Sequence, residues 1–256
     1  NGVTPESILL LTFTNKASKQ MLERVEELTD MGANRFLGGT FHHVGGQVLR
    51  LFGDSIGLAK SFTILDDGDS DSLLNEVIRD LDPGFFKSKE NPKAKPIKGL
   101  LSFSRNIGAS FEEVAKGRYP SNTELCSKID SFARIYQQTK LERGLADYDD
   151  LLVYWLEVME NNQEAAEYYQ QRFSHVLVDE YQDVNSLQAR IVDKIASNHQ
   201  IMAVGDDAQC IYTWRGADLD QIMSFPERHP GTKIFKIETN YRSSPEILEL
   251  ANGILE

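Results

Sequence analysis

Cysteine is scarce in this sequence, and long apolar segments are absent from it. Among 256 residues the two cysteines, Cys126 and Cys210, are too few and too far apart to suggest a disulfide framework or a metal site. Such usage is typical of a reduced intracellular protein. No apolar run approaches the ~18 residues that a membrane helix needs, and the polar residues 1–6 do not resemble a signal peptide. We therefore expect a cytoplasmic protein with no membrane span.

Positive charge is also in short supply. The chain has 27 lysines and arginines against 39 acidic residues, a net charge of −12. Proteins that coat DNA phosphates usually carry a basic face, so this balance argues against a uniformly basic surface. The charges are uneven, however: residues 142–190 hold eleven acids and three arginines, whereas residues 87–98 hold five lysines and one glutamate. Any binding of nucleic acid must therefore be confined to a small part of the surface and use base stacking and backbone amides.

Apolar runs and helical periodicity alternate along much of the chain. Hydrophobic residues make up 41% and charged residues 26% of the sequence, which is typical of a globular protein. Short apolar runs predict strands at residues 7–13, 62–65, 175–178, 200–204 and 233–237. Helical spacing predicts helices at residues 15–28, 42–52 and 151–159. We interpret Gly38-Gly39 as a break between elements, and the alternation predicts a parallel sheet.

The pattern changes between residues 66 and 149. This stretch has many helical segments, a loop rich in lysine and proline (KSKENPKAKPIK), and no convincing apolar strand. We therefore predict an α/β fold with a doubly wound parallel sheet, made of residues 1–65 and 150–256. Residues 66–149 would form an all-helical subdomain inserted into it.

The strongest motif is VLVDEYQD, residues 176–183. A buried strand here delivers two carboxylates, Asp179 and Glu180, to its carboxyl end, where ligands bind in open α/β sheets. Asp179 suits a Mg²⁺ ion that neutralises nucleotide phosphates. Glu180 can orient or deprotonate an attacking water. The alternative interpretation is a helix start decorated with acidic residues, which favour that position in any case.

A second motif, VGDDAQCIYTWRGA, spans residues 204–217 and follows the next predicted strand. Gln209 offers a neutral amide that can sense a γ-phosphate by hydrogen bonding. Tyr212, Trp214 and Arg215 combine aromatic and cationic groups, which suits stacking on single-stranded bases at roughly 1–3 kcal/mol per base. Trp214 could instead be a core residue, the usual fate of tryptophan. The segment would join a phosphate sensor to a DNA-facing surface.

These two motifs resemble motifs II and III of the superfamily 1A DNA helicases, the UvrD/Rep/PcrA group. Further blocks resemble the family's motifs in the same order: LTFTNKAS (11–18) motif Ia, GTFHHVGGQVLR (39–50) motif Ib, ADYDDLL (146–152) the block before motif II, and ETNYRSS (238–244) motif IV. The resemblance runs from end to end, with the helical insertion in the position of the family's 1B subdomain. It implies a RecA-like P-loop NTPase core, with ATP and Mg²⁺ as cofactors.

The resemblance also implies the substrate and the residues that bind it. The expected activity is ATP-driven translocation on single-stranded DNA, 3′ to 5′, with unwinding at a duplex junction. Phe13 would line the single-strand channel together with Tyr212 and Trp214. Phosphate or sugar would be held by four residues, Thr12, Asn15, Thr40 and His42. The simpler interpretation of His42 and its neighbour is that both are ordinary surface histidines.

Motif IV supplies the remaining nucleotide contacts that the resemblance implies. Tyr241 would stack on the adenine, and Arg242 would reach the γ-phosphate. Arginine suits that role because its planar, always charged group stabilises charge spread over phosphate oxygens. The same stretch, NYRSSPE, also predicts a helix start with Pro245 at the first position.

The sequence departs from the family pattern in two respects. Cys210 stands where the family commonly has a small hydroxyl residue, a change that we expect to be tolerated. Nothing matches GxxxxGK[ST], the phosphate-binding loop. We expect that loop to precede Asn1 and a second motor domain to follow Glu256, so that the chain alone is inactive. Two alternatives stay open: the motor of a helicase–nuclease subunit, and a non-catalytic DNA-binding remnant.

Overall fold

The computed structural model describes residues 2–29, 32, 35–196, 200–212 and 217–255. Within these ranges the strands are β1 (Ile8–Thr12), β2 (Leu37–Thr40), β3 (Thr63–Ile64), β4 (Leu145–Ala146), β5 (His175–Val178) and β6 (Gln200–Ala203). Four of them form a parallel sheet in the order β2-β1-β5-β6, and β3 pairs with β4 separately. The prediction of an α/β fold around a parallel sheet is therefore confirmed.

The helices follow the apolar periodicity of the sequence. Those described are α1 (Asn15–Thr29), α2 (Phe41–Phe52), α3 (Asp67–Leu81), α4 (Ala94–Ile107), α5 (Phe111–Arg118), α6 (Thr123–Glu142), α7 (Tyr148–Asn161), α8 (Gln163–Arg172), α9 (Ser186–Ile195), α10 (Leu219–Met223), α11 (Phe225–Arg228) and α12 (Pro245–Leu255). The last begins at Pro245, as predicted. In the described part of the chain no helix is long and apolar enough to cross a membrane.

Two hydrophobic clusters hold these elements together. The larger one packs α2, α7 and α9 beside the sheet, with Trp155 fully buried in it. The smaller one lies within α3 to α6 and includes Ile78, Ile129 and Tyr136. Residues 65–145 therefore have apolar contacts of their own, and the β3–β4 pair stands where the chain enters and leaves this helical part. The short strand β4 lies in a stretch that we predicted to be wholly helical.

The structure corrects the interpretation of Gly38-Gly39 as a break. Both glycines lie inside β2, which pairs with β1 along its whole length. A Cβ atom on Gly38 would lie 3.2 Å from a methyl carbon of Leu22, and one on Gly39 would lie 2.8 Å from the ring of His43. Glycine is needed here because neighbouring groups approach the strand closely, and not because the strand ends.

Two predicted strands have different outcomes in the structure. Residues 62–65 contain β3, but β3 pairs with β4 and lies outside the main sheet. The prediction of a strand at residues 233–237 is wrong, since these residues are irregular. Ile234 is 73% exposed and Phe235 83% exposed. An apolar run becomes a strand only if another strand satisfies its backbone hydrogen bonds, and no described strand pairs with this one.

Candidate nucleotide and nucleic-acid site

The carboxyl ends of the parallel strands meet at one edge of the sheet. Leu11 of β1 lies opposite Val178 of β5, which in turn lies opposite Ala203 of β6. The chain steps from β1 outward to β2 on one side, and from β5 outward to β6 on the other. The strand order therefore reverses between β1 and β5, and ligands bind in the crevice outside such a switch point. The residues that follow β1, β5 and β6 lie at this edge.

The two adjacent carboxylates have different surroundings. The backbone N–H of Asp179 donates to Leu11 O at 2.9 Å, so Asp179 extends the sheet by one residue. Burial and then the charge of Glu180 raise the pKa of Asp179. Glu180 is exposed and has left-handed backbone angles, φ 52 and ψ 47. Among the described residues it alone combines positive φ with a side chain. That conformation costs about 1–2 kcal/mol, and such strain is concentrated at functional sites.

A buried amide links Glu180 to the loop that follows β6. Gln182 is 1% exposed. Its Nε2 donates to Glu180 Oε2 at 2.7 Å, and its Oε1 accepts the backbone N–H of Asp206 at 3.0 Å. No role was predicted for Gln182 from the sequence motifs. The sequence feature that could have identified it is the glutamine inside DEYQD, a polar residue in the turn that directly follows the apolar strand β5.

Gln209 belongs to the same loop. It ends a short 3-10 turn, Asp207–Gln209, and its exposed side chain donates to Asp206 Oδ2 at 2.7 Å. Asp206 therefore contacts Gln182 through its backbone and Gln209 through its carboxylate. The predicted phosphate sensor and the predicted water-orienting carboxylate are connected through two side-chain amides and one aspartate.

Asp179 is the residue that was predicted to hold a magnesium ion. In the ranges that the structure describes, no three potential ligands are grouped as a metal site built by protein alone would need. Mg²⁺ at nucleotide sites usually takes one or two carboxylates and completes its octahedron with water and phosphate oxygens. A single part-buried carboxylate at the strand end suits that arrangement.

Two predicted DNA-contacting aromatics lie against each other. The rings of Phe13 and Tyr212 are stacked, with centroids 5.4 Å apart and planes 29° from parallel. Both are partly exposed, which leaves ring surface open to solvent. They come from different motifs, 199 positions apart, and only the fold brings them together. Trp214 and Arg215 lie outside the described residues, so their predicted roles stay predictions.

The residues that were predicted to contact the DNA backbone lie in different surroundings. Asn15 and Thr40 line one groove of about 370 Å³, together with Gly38, Gly39 and Lys19. Thr40 also caps α2, because its hydroxyl accepts the backbone N–H of His43 at 3.2 Å. Thr12 is different: its side chain is 0% exposed and its hydroxyl donates to Thr14 O at 3.2 Å. Thr12 therefore has no exposed side-chain surface that could contact DNA.

His42 contacts an aromatic residue that the motif analysis did not select. The His42 and Tyr148 rings form a T-shaped pair, with centroids 5.9 Å apart and planes at 74°. Burial lowers the pKa of His42, which favours the neutral ring. Tyr148 is 56% exposed and is the first residue of α7. Its signal in the sequence was the aromatic residue inside ADYDDLL.

The two motif IV residues do not pack against this edge of the sheet. Tyr241 is 93% exposed. Arg242 is also exposed, and its backbone N–H donates to Asn240 Oδ1 at 2.8 Å. Their predicted contacts with adenine and γ-phosphate stay predictions.

Comparison with known proteins gives one consistent result. Residues 1–230 match the family described as the UvrD/REP helicase N-terminal domain. The chain is 36% identical to the ATP-dependent DNA helicase PcrA of Bacillus subtilis over 260 residues, which is 99% of this chain and 34% of that relative. It is 34% identical to PcrA of Staphylococcus epidermidis and 33% identical to PcrA of Staphylococcus aureus, again over 99% of the chain. The chain spans about a third of the length of these curated relatives, 34%.

Proposed function

Because this chain belongs to the UvrD/REP helicase family, we propose that it forms the ATP-hydrolysing and single-strand-binding part of an ATP-dependent DNA helicase. The full-length protein would translocate 3′ to 5′ on single-stranded DNA and unwind duplexes. We propose further that the sheet is the core of a RecA-like P-loop NTPase. Its substrates are then ATP with Mg²⁺, single-stranded DNA and a duplex junction.

One observation carries this proposal. The carboxylates at the end of β5 and the Phe13–Tyr212 aromatic pair lie at the same edge of the sheet. The short segment from Asp206 to Tyr212 connects them. Tyr212 follows Gln209 by three residues, and Gln209 is bonded through Asp206 to the amide that holds Glu180. A motor needs such a connection, because events at the nucleotide must move the surface that holds DNA. A remnant that only bound DNA would have no use for a strained carboxylate with a buried partner.

The residues at the nucleotide end divide the chemistry among themselves. A Mg²⁺ ion held through Asp179 would supply positive charge to the phosphates. The Glu180 carboxylate would accept a hydrogen bond from the attacking water and take its proton. Gln209 would donate its amide to the γ-phosphate, and Arg242 would add charge there once the motif IV segment approaches. The magnesium ion, Gln209 and Arg242 would each place a positive charge or a donor where negative charge develops, whereas Glu180 would receive the proton.

The DNA end uses aromatic faces and a groove. Bases would stack on Phe13 and Tyr212, and the adjoining Trp214 and Arg215 would extend that surface. Tyr148 and His42 would add a second aromatic edge. The phosphate backbone would pass along the groove lined by Asn15 and Thr40. Stacking of this kind binds single strands without a large positive charge, which agrees with a net charge of −12.

Replacing Tyr212 by alanine in the full-length protein should weaken single-stranded DNA binding. Loss of one stacking face removes roughly 1–3 kcal/mol, about 5- to 150-fold in Kd. ATP affinity measured without DNA should stay unchanged. Fluorescence anisotropy with a labelled oligonucleotide measures the first quantity, and binding of a fluorescent ATP analogue measures the second.

The matched control is Tyr168→Ala. Tyr168 is 43% exposed but belongs to α8, which leads into the amino end of β5, and its ring packs on Phe52. Its replacement should leave DNA affinity as it was. Equal losses of DNA affinity in the two variants would contradict the proposed surface.

Duplex DNA would meet the lysine-rich loop of the helical insertion. Arg79, Lys87, Lys89, Lys93 and Lys95 line a cavity of about 850 Å³. Lys98 has another task, because its Nζ contacts Asp67 at 3.1 Å and Asp71 at 2.8 Å. Most of the positive charge of this lysine-rich loop therefore lies around one cavity. Such a concentration of positive charge suits the phosphates of the two strands of a duplex.

Replacing Lys89, Lys93 and Lys95 together by glutamine should reduce the salt dependence of binding to a duplex junction. Each phosphate contact contributes about 0.9 to the slope of log K against log salt, so three lost contacts lower the slope by up to roughly 2.7. Titrations at several salt concentrations measure this slope. Lys116→Gln, at an exposed lysine paired with Glu112, is the control and should leave it unchanged. A triple variant with an unaltered slope would rule this loop out.

A further inference from the structure

Gln182 uses both ends of its amide, and both partners belong to the proposed nucleotide site. The NH₂ group donates to the Glu180 carboxylate at 2.7 Å, and the carbonyl oxygen accepts the Asp206 N–H at 3.0 Å. The side chain is 1% exposed. The hydrogen bonds of a buried amide are made mainly to protein groups, so these two partners help to fix its position.

The chemistry of the partners permits only one orientation of the amide. A carboxylate accepts hydrogen bonds and a backbone N–H donates them. Turning the amide over would direct its oxygen at a carboxylate and its NH₂ group at an N–H, so both bonds would be lost. The neighbouring backbone holds the amide in place as well. A Cβ atom on Gly205 would lie 2.6 Å from Gln182 Oε1. The loop that follows β6 can therefore approach the amide this closely only because residue 205 is glycine.

We propose that Gln182 is a positioning residue, which orients the Glu180 carboxylate and makes its position depend on the loop of residues 205–209. This inference rests on the proposed ATPase function of the same site. Glu180 is exposed and has strained backbone angles, so packing does not orient its side chain. The bond from Gln182 does so. Because the other end of the amide is bound to Asp206, a shift of that loop moves the carboxylate.

The same bridge connects DNA to catalysis. Tyr212, in the proposed DNA surface, is six residues beyond Asp206, and Gln209 lies between them. When a base stacks on Tyr212, the segment that carries Asp206 is ordered, and Gln182 brings Glu180 to the water. Stimulation of ATP turnover by single-stranded DNA therefore passes through the Gln182 amide.

The test compares Gln182→Met with Gln182→Glu in the full-length protein. Methionine keeps the volume and loses both hydrogen bonds. Ionised glutamate keeps the bond from the Asp206 N–H, loses the donation to Glu180, and places a like charge beside that carboxylate. We expect kcat with saturating single-stranded DNA to fall about 10- to 100-fold in both variants, the usual effect of removing a group that orients a reacting residue. KM for ATP and the affinity for an oligonucleotide should stay unchanged. The turnover without DNA should fall less than the DNA-stimulated turnover.

Gln188→Met is the matched control. Gln188 is also a buried glutamine, but its amide bonds the backbone of Asn185 at the start of α9. Its replacement should lower the melting temperature and leave the ratio of stimulated to unstimulated turnover unchanged. If the Gln182 variants keep that ratio and lose both rates in step with melting temperature, the amide is merely structural and the proposal is wrong.

The wild type and Glu180→Gln separate this inference from the proposed function. A wild-type protein without DNA-stimulated turnover overturns the proposed function itself. A Glu180→Gln variant with normal turnover overturns the assignment of Glu180, and the role of Gln182 with it. Normal wild-type turnover, an inactive Glu180→Gln variant and fully active Gln182 variants together overturn only the role of Gln182. If the methionine variant does not fold, the glutamate variant, which differs from glutamine by a single group, decides the question.

Discussion

Glu180→Gln in the full-length protein should abolish ATP turnover and leave ATP binding in place. The amide has the shape of the carboxylate, but it is not a base. Only one of its two terminal atoms can accept a hydrogen bond. Loss of a general base typically costs 10²–10⁴-fold in rate. Binding should persist, because Asp179 and Gln209 are unchanged. The variant should therefore form a stable complex with MgATP that does not turn over.

Steady-state release of phosphate with saturating single-stranded DNA measures the turnover, and a fluorescent ATP analogue measures the binding. Glu160→Gln serves as the control, since Glu160 pairs with Arg190 on the surface at 2.7 Å. A fall in turnover of less than about tenfold, or 1.36 kcal/mol of barrier, would mean that another group handles the water. Asp179→Asn should have a different effect and raise the magnesium concentration needed for half-maximal rate.

Lys140→Met should destabilise the chain by about 3–5 kcal/mol, the usual result of removing one partner from a buried ion pair. Lys140 is 0% exposed. Its Nζ contacts the carboxylate of Asp147 and, at 2.5 Å, that of Asp150. Arg105 lies 3.2 Å from Asp150 on the other side. Without Lys140, two buried carboxylates share one arginine.

This cluster joins the helical insertion to the core. Arg105 comes from α4 and Lys140 from α6, whereas the carboxylates belong to the start of α7. Asp147 and Asp150 also cap α7 reciprocally, with backbone N–H to carboxylate distances of 2.9 and 3.0 Å. Tyr148, which faces His42, is the residue next to Asp147. Loss of the cluster therefore loosens both the insertion and a proposed DNA-contacting residue.

The loss of stability should depend on pH. Burial, and after it the neighbouring Asp147, raises the pKa of Asp150 to about 6. A carboxyl whose pKa is raised on folding favours the folded state below its unfolded pKa, and this contribution is lost as pH rises through the folded pKa. In Lys140→Met, protonation of Asp150 substitutes in part for the missing cation. The deficit should therefore be smaller near pH 5 than near pH 8.

Urea unfolding at the two pH values measures this deficit. Lys128→Met is the matched control on the same helix, because Lys128 is 47% exposed and pairs with Glu124 at 3.3 Å. Exposed pairs contribute about 0–1 kcal/mol, so the control should lose little. Equal losses at Lys128 and Lys140 would show that the cluster adds nothing beyond an ordinary surface pair.

Much of the fold and of the site could be predicted from residue order alone. The apolar runs around Leu10, Leu177 and Ile201 predicted three strands of the sheet at the right places. Asp179 and Glu180 were found because the residue after a buried strand must lie at the sheet edge. These features are local. The spacing of apolar residues along a short segment depends on which face of the strand or helix is buried, so neighbouring residues are enough to predict the element.

The tertiary structure alone decided which segments meet. Residues 233–237 are as apolar as β6 and still form no strand, since a strand needs a partner that the run itself does not specify. Thr12 is two residues beyond Leu10 and buried, and its motif gave no sign of this. The bond from Gln182 to Asp206 and the stack of Phe13 on Tyr212 join residues 24 and 199 positions apart. Such contacts depend on the sheet order, which fixes distances in space that no local pattern in the sequence contains.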